Sequence, residues 1–185
     1  MPADNPHLRF EQVVLPHLDA AFNLARWLTA SDHDAQDVTQ EACLRALKFV
    51  DTHHGTNPRA WLLAIVRNTY FTWLKKNRPR DLVGPLLADD LMDQGTAELN
   101  PEVLAIRNAD CELVRQAIAS LPADYREIVV LREMEGLSYK EIGEIAGVPL
   151  GTVMSRLSRA RAQLEQGLAK SLGEVPRKEG SARGL

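Results

Sequence analysis

Leu137-Ser-Tyr-Lys-Glu-Ile-Gly-Glu-Ile-Ala-Gly-Val-Pro-Leu-Gly-Thr-Val-Met-Ser-Arg-Leu157 reads as two short helices joined by a tight turn. Ser138 and Glu141 have capping-box spacing, which opens a helix by satisfying two of its free N–H groups. Ile142, Ile145 and Ala146 fall on the inward side of that helix. Gly147 can take the left-handed conformation that most residues avoid, and Val148-Pro149 redirects the chain into a second helix. At roughly 100° per residue, Val153, Leu157, Ala160 and Leu164 line one apolar stripe. Thr152, Ser155, Arg156 and Arg159 line a neighbouring polar stripe, which Gln163 continues. The apolar stripe is expected to pack on its own domain. The polar stripe is expected to face outward near the helix N-terminus, where short polar side chains and arginines fit a DNA major groove. Arginine there can grip a guanine with two hydrogen bonds or hold a phosphate.

Working outward, alternating β-branched runs are absent and apolar residues recur at helical spacing, so an all-α fold is expected. Phe10 to Leu28 reads as helix, with Pro16 as a start or a kink. Ser31 and Asp34 cap a second helix that runs to about Val50. Thr52–Pro58 is rich in loop formers, and a third helix follows from Arg59 to about Lys76. The later half reads as helices at about 102–119, 122–134, 139–146 and 151–169. Pro122 fits a first turn, and Gly136 fits the position just past a helix end. The organisation is two small helical domains, 8–78 and 102–172, joined by a flexible linker at 79–101 and followed by a disordered tail at 173–185.

Of the 185 residues, 45% are apolar and 25% charged, as in ordinary globular proteins. The N-terminus has neither a basic start nor an apolar segment, so no secretory signal is expected. No apolar run approaches the ~18 residues of a membrane span, so no stable membrane insertion is expected. Cys43 and Cys111 belong to no paired motif and are expected as buried thiols in a reducing cytoplasm. The net charge is −3, but charge is unevenly spread. Arg67, Lys75, Lys76, Arg78 and Arg80 stand unopposed, followed by Asp81, Asp89, Asp90, Asp93, Glu98 and Glu102 without a basic residue. Arg156, Arg159 and Arg161 then return unopposed. Two cationic segments around an acidic connector suit a nucleic-acid binder with two contact points.

Three further stretches extend the pattern. They are Asp34-Ala-Gln-Asp-Val-Thr-Gln-Glu-Ala-Cys-Leu-Arg-Ala-Leu47, Pro58-Arg-Ala-Trp-Leu-Leu-Ala-Ile-Val-Arg-Asn68 and Leu121-Pro-Ala-Asp-Tyr-Arg-Glu-Ile-Val-Val-Leu-Arg-Glu-Met-Glu-Gly-Leu-Ser-Tyr139. With the helix-turn-helix, the chain over about residues 8–170 resembles the extracytoplasmic-function (ECF) sigma factors of the sigma-70 family. The first two stretches resemble region two and the rest resembles region four, with no middle domain. The resemblance implies a factor that binds core RNA polymerase and directs initiation at promoters, without a cofactor or a metal. An anti-sigma factor that covers both domains is implied as a further partner.

The residues fit these implied roles. Asp34, Asp37 and Glu41 share one helix face with Gln40 at its border. Acidic groups there suit the helix dipole, and the resemblance implies docking on the clamp helices of the polymerase's largest subunit. It also implies that the Thr52–Pro58 loop and the helix after it open the minus-ten element and capture an unstacked base, which costs a few kcal/mol. Asn57, Arg59, Arg67, Asn68, Lys75 and Lys76 are the candidates for that strand. Thr152, Ser155, Arg156 and Arg159 are those for the minus-thirty-five element. Trp61, Ile65 and Trp73 recur at core spacing, although Trp61, Tyr70 and Trp73 also invite base stacking. The acidic linker is implied to pass through the polymerase toward the RNA exit path.

A stand-alone helix-turn-helix regulator is the alternative, but it would have no use for the first block. A helical enzyme would need chemistry that is not visible. There is no phosphate loop and no nucleophile elbow, and neither cysteine has a histidine at metal-ligand spacing. His53 and His54 are expected as exposed loop residues.

Overall fold

The computed structural model describes residues 6–53, 55–77, 101–171 and 173, with backbone only at 6 and 101–109. Among these residues there is no strand. The linker and the tail lie outside them except for Pro101 and Gly173.

The first helical stretch is broken in two. α1 (Pro6–Val13) gives way to a 3₁₀ turn (Leu15–His17), and α2 (Leu18–Thr29) follows. Pro16 has no N–H to donate, so the α-helical ladder stops at the Val14 N–H, which still reaches Phe10 O at 2.8 Å. α2 ends at Ala30, whose φ of +55° is left-handed, and Ser31 immediately caps α3 (Asp32–Phe49). The Ser31 hydroxyl accepts from the Asp34 N–H at 3.3 Å. A second 3₁₀ turn (Val50–Thr52) and a loop lead to α4 (Pro58–Asn77).

α2, α3 and α4 pack on one another. Ala21, Ala25, Ala35, Ala42 and Ala46 are fully buried between them, and small side chains let helix axes approach. Leu24, Leu28, Leu62, Leu63, Val66 and Tyr70 fill the remaining space. Each such aliphatic side chain contributes roughly 1.5–3 kcal/mol. Tyr70 is 0% exposed, so it belongs to this core and is not presented for base stacking. Trp61 and Trp73 are half-buried against the same core.

The later helices are α5 (Pro101–Ser120), α6 (Ala123–Val129), α7 (Tyr139–Ala146) and α8 (Leu150–Ser171). Ile118, Ile128, Leu131, Ile142, Val153 and Leu157 form their core. The segment expected as one helix over 122–134 is α6 followed by a π turn, Val130–Met134. There the Glu135 N–H reaches back five residues to Val130 O at 3.1 Å. Gly136 then ends the segment with φ +66°. The two helical groups touch each other, α4 against α7 and α2 against α6.

The cysteines depart from expectation. Cys43 is half-buried and Cys111 is exposed. Burial pushes the Cys43 thiol pKa up, which disfavours its thiolate. Among the described residues, no helix is long and apolar enough to cross a membrane.

Candidate nucleic-acid interface

The α7–turn–α8 unit is built from short-range chemistry. The Ser138 hydroxyl accepts from the Glu141 N–H at 3.3 Å, and Glu141 Oε2 accepts from the Ser138 N–H at 2.8 Å. The Ser138 hydroxyl also donates to Glu141 Oε2 at 2.7 Å; that bond first, and the Ser138 N–H second, hold the Glu141 carboxyl below its ordinary pKa. Gly147 closes α7 at φ +68° and donates to Gly143 O. A Cβ on Gly143 would lie 3.0 Å from Val148 O, so the turn fits tightly against α7.

On α8, Val153, Leu157 and Ala160 are buried, and Ser155 and Arg159 are exposed. Thr152 is half-buried. Arg156 does not face outward with them. Its guanidinium lies 3.2 Å from Asp124 Oδ2 and 3.6 Å from Glu127 Oε1. The reason is angular. Arg156 sits about 70° from the centre of the buried stripe, against about 130° for Arg159 and about 170° for Ser155. It therefore lies on the flank beside α6. Ser158, which was not among the expected contacts, is exposed beside Ser155.

The residues expected at the minus-ten element divide into two groups. Asn68, Lys75 and Lys76 are exposed. The other three each meet a carboxylate of the later helices. The Asn57 amide donates to Glu141 Oε1 at 2.8 Å. Arg59 pairs with Glu135 Oε2. Arg67 donates from Nε to Glu127 Oε2 at 2.8 Å and from Nη2 to Oε1 at 3.3 Å. Asn23 also donates to Glu135, at 2.9 Å. His53 is half-buried with its ring stacked 4.4 Å from Trp61, so it is not the exposed loop residue expected. His54 lies outside the described residues.

Glu127 is 0% exposed and Glu135 is 7% exposed. Burial pushes the Glu127 carboxyl pKa up, partly opposed by Arg67 and Arg156. The π turn aligns the two glutamates. Residues eight apart on an unbroken α-helix stand about 80° apart. A π turn absorbs one residue, so Glu127 and Glu135 behave as if seven apart, about 20° from each other. Arg126, absent from the sequence expectations, is also buried and donates to Leu28 O at 2.7 Å and to Ala119 O at 2.6 Å. It thereby ties α6 to the end of α2.

Asp37, Gln40 and Glu41 form an exposed row on α3, and Asp34 is half-buried at its start. Glu41 accepts from Arg45 at 2.8 Å. Leu44, 58% exposed, continues the row and adds an apolar spot that charge reading alone passed over.

Comparison with known proteins places these features in a family. Residues 13–80 match Sigma-70 region 2, and residues 111–164 match Sigma-70, region 4. The chain is 37% identical over 167 residues to the ECF RNA polymerase sigma factor SigE of Mycolicibacterium smegmatis, spanning 90% of this chain and 64% of that protein's length. It is 36% identical over 138 residues to the ECF RNA polymerase sigma-E factor of Escherichia coli K12, spanning 71% of this chain and 72% of that protein. Among solved structures it resembles the sigma factor RpoE in complex with the anti-sigma factor NepR from Bartonella quintana. That match has a TM-score of 0.69 and 28% identity over 86% of this chain and 96% of that one. CnrH in complex with the cytosolic domain of CnrY matches with a TM-score of 0.62 and 25% identity, over 91% and 92% of the two chains. With both regions present in order and in a fold shared with these factors, the chain belongs to the ECF sigma factors of the sigma-70 family.

Proposed function

We propose that this chain docks on core RNA polymerase through the outer face of α3 and directs initiation at a promoter whose two elements its two regions contact. Asp34, Asp37, Gln40 and Glu41 meet the clamp helices of the largest subunit. Thr152, Ser155 and Arg159 on α8 read the minus-thirty-five element, with Arg156 joining once it leaves Asp124 and Glu127. Asn57, Arg59, Arg67, Asn68, Lys75 and Lys76 hold the melted minus-ten strand. The carrying observation is the pairing of region two with region four in one chain, each leaving a polar face exposed. The role is that of an initiation factor in the cytoplasm, and the chain performs no catalysis of its own.

An anti-sigma factor is proposed as the regulator. The solved relative RpoE is bound to the anti-sigma factor NepR, and the similar structure of CnrH holds the cytosolic domain of CnrY.

The test is run-off transcription with purified core polymerase on genomic fragments, followed by mapping of the start sites. A defined set of starts that depends on this chain supports the proposal. No start, or no joining to core, ends it. A gel shift that gave tight, specific DNA binding without core would favour a stand-alone regulator instead.

A further inference from the structure

We infer that Met154 and Leu150, two apolar side chains at the N-terminal end of α8, read thymine in the minus-thirty-five element through its C5 methyl group. The inference deepens the proposed role of α8 and rests on it.

Both side chains stand in solvent on a helix whose other exposed positions are mostly polar. Leu150 is 53% exposed and Met154 is 52% exposed. They are four residues apart, so they are neighbours along one helix face. An α-helical side chain also leans toward the helix N-terminus, which carries Met154 toward Leu150. Pro149, exposed as well, extends the strip back into the turn between α7 and α8.

The place and the charge of the strip favour DNA as its partner. In a helix-turn-helix, the N-terminal residues of the second helix reach the base edges. Leu150 is the first residue of α8 and Met154 the fifth. From Leu150 to Leu164 the helix carries Arg156, Arg159 and Arg161 and no acidic residue, so a groove walled by phosphates can accept it. Around the helix, Met154 stands about 90° from the centre of the buried stripe on one side, and Arg159 about 130° on the other. Between them Gly151, Ser155 and Ser158 are exposed and short. The helix can therefore seat close to the bases with an apolar flank on one side and a cationic flank on the other.

The major groove offers such a flank one matching target. The thymine C5 methyl is the apolar group among the donors and acceptors that base pairs display there. Methionine and leucine supply no donor and no strong acceptor, so against a cytosine edge they would bury its amino group without a partner. Thymine is thus favoured both by contact with its methyl and by the cost of the alternative. The unbranched thioether of Met154 can adjust to where that methyl lies.

The test uses holoenzyme, formed from core polymerase and the full-length chain, on a mapped promoter. Each thymine of the minus-thirty-five element, on either strand, is replaced in turn by deoxyuridine, which pairs in the same way and lacks only the methyl. Single-round run-off yield at limiting holoenzyme gives a thymine-to-uracil ratio for wild type and for four variants. In wild type at least one position should show a ratio of about four, as expected for burial of one methyl group. Met154→Ala or Leu150→Ala should bring that ratio to one. Met154→Leu, which stays apolar, should keep it, and Arg159→Ala should keep it while lowering the yield. Both alanine changes remove exposed side chains, and the ratio is internal to each variant, so a smaller folded fraction cancels. An element without thymine, a wild type insensitive at every thymine, or a ratio unchanged in both alanine variants overturns the inference. In the last case, an overall loss of yield would mark the strip as a protein contact. If starts are directed but ignore the methyl, only this inference falls. If no template yields a start, the sigma reading itself fails and the inference with it.

Discussion

Arg67 and Glu127, sixty residues apart in sequence, form a two-pronged ion pair at 2.8 and 3.3 Å. The carboxylate has no solvent exposure and the arginine side chain has 20%. Charge pairs held away from water couple more strongly than exposed ones. A double-mutant cycle with Arg67→Ala and Glu127→Ala, read by urea unfolding, should give a coupling of roughly 1–3 kcal/mol. A coupling near zero would show that the pair adds nothing to the packed state.

Glu127 also predicts a pH dependence. Its carboxyl pKa is raised by burial above the ordinary 4.5, so the folded protein holds the proton more tightly than the unfolded chain does. The stabilisation from that proton is complete below 4.5 and is lost as pH rises through the raised value. Glu127→Gln, which cannot ionise, should therefore gain stability relative to wild type as pH rises from about 4 to 7. A stability difference that stays flat across that range would contradict this.

Glu141 has the opposite sign. The Ser138 hydroxyl, then the Ser138 backbone N–H, hold its carboxyl below 4.5. Its contribution is present above 4.5 and fades as pH falls through the lowered value. Ser138→Ala should cost about 1 kcal/mol at neutral pH and should move the Glu141 titration, followed by carbon-detected NMR, up toward its ordinary position.

The two α8 arginines should behave differently at a promoter. Arg159 is exposed, while Arg156 is held by Asp124 and Glu127. Arg159→Ala is expected to weaken use of the mapped promoter by roughly 1–3 kcal/mol if it reads a base. Equal loss on every promoter would mark a phosphate contact instead. Arg156→Ala should cause a smaller promoter-specific loss, because its charge must first leave two carboxylates. Relative run-off yields from paired templates measure both effects.

Local features were readable from residues three to eight positions apart. The Ser138–Glu141 box, the left-handed Gly147 and the buried Val153–Leu157–Ala160 stripe all follow from short-range sterics and hydrogen bonding. So does the break at Pro16. What escaped reading is long-range or angular. No periodicity links Arg67 to Glu127, or Asn23 to Glu135 at a separation of 112 residues. Glu127 and Glu135 look like ordinary solvated acids of an amphipathic stretch, yet they are buried because other helices close over them. Arg156 shares the polar stripe of Arg159, but its place on the flank shows only once α6 lies beside it. The α3 row of Asp37, Gln40 and Glu41 was legible because none of the described residues covers it.

The five-residue turn at Val130–Met134 works like a phase shifter in the backbone. Losing one residue there would restore a regular helix with its downstream face unturned, whereas keeping the length and winding all of it as α-helix would set Glu135 about 80° from Glu127, away from Arg59 and Asn23. The fit of Glu135 to its partners in the first helical group thus depends on how this turn is wound, and not on its side chain alone.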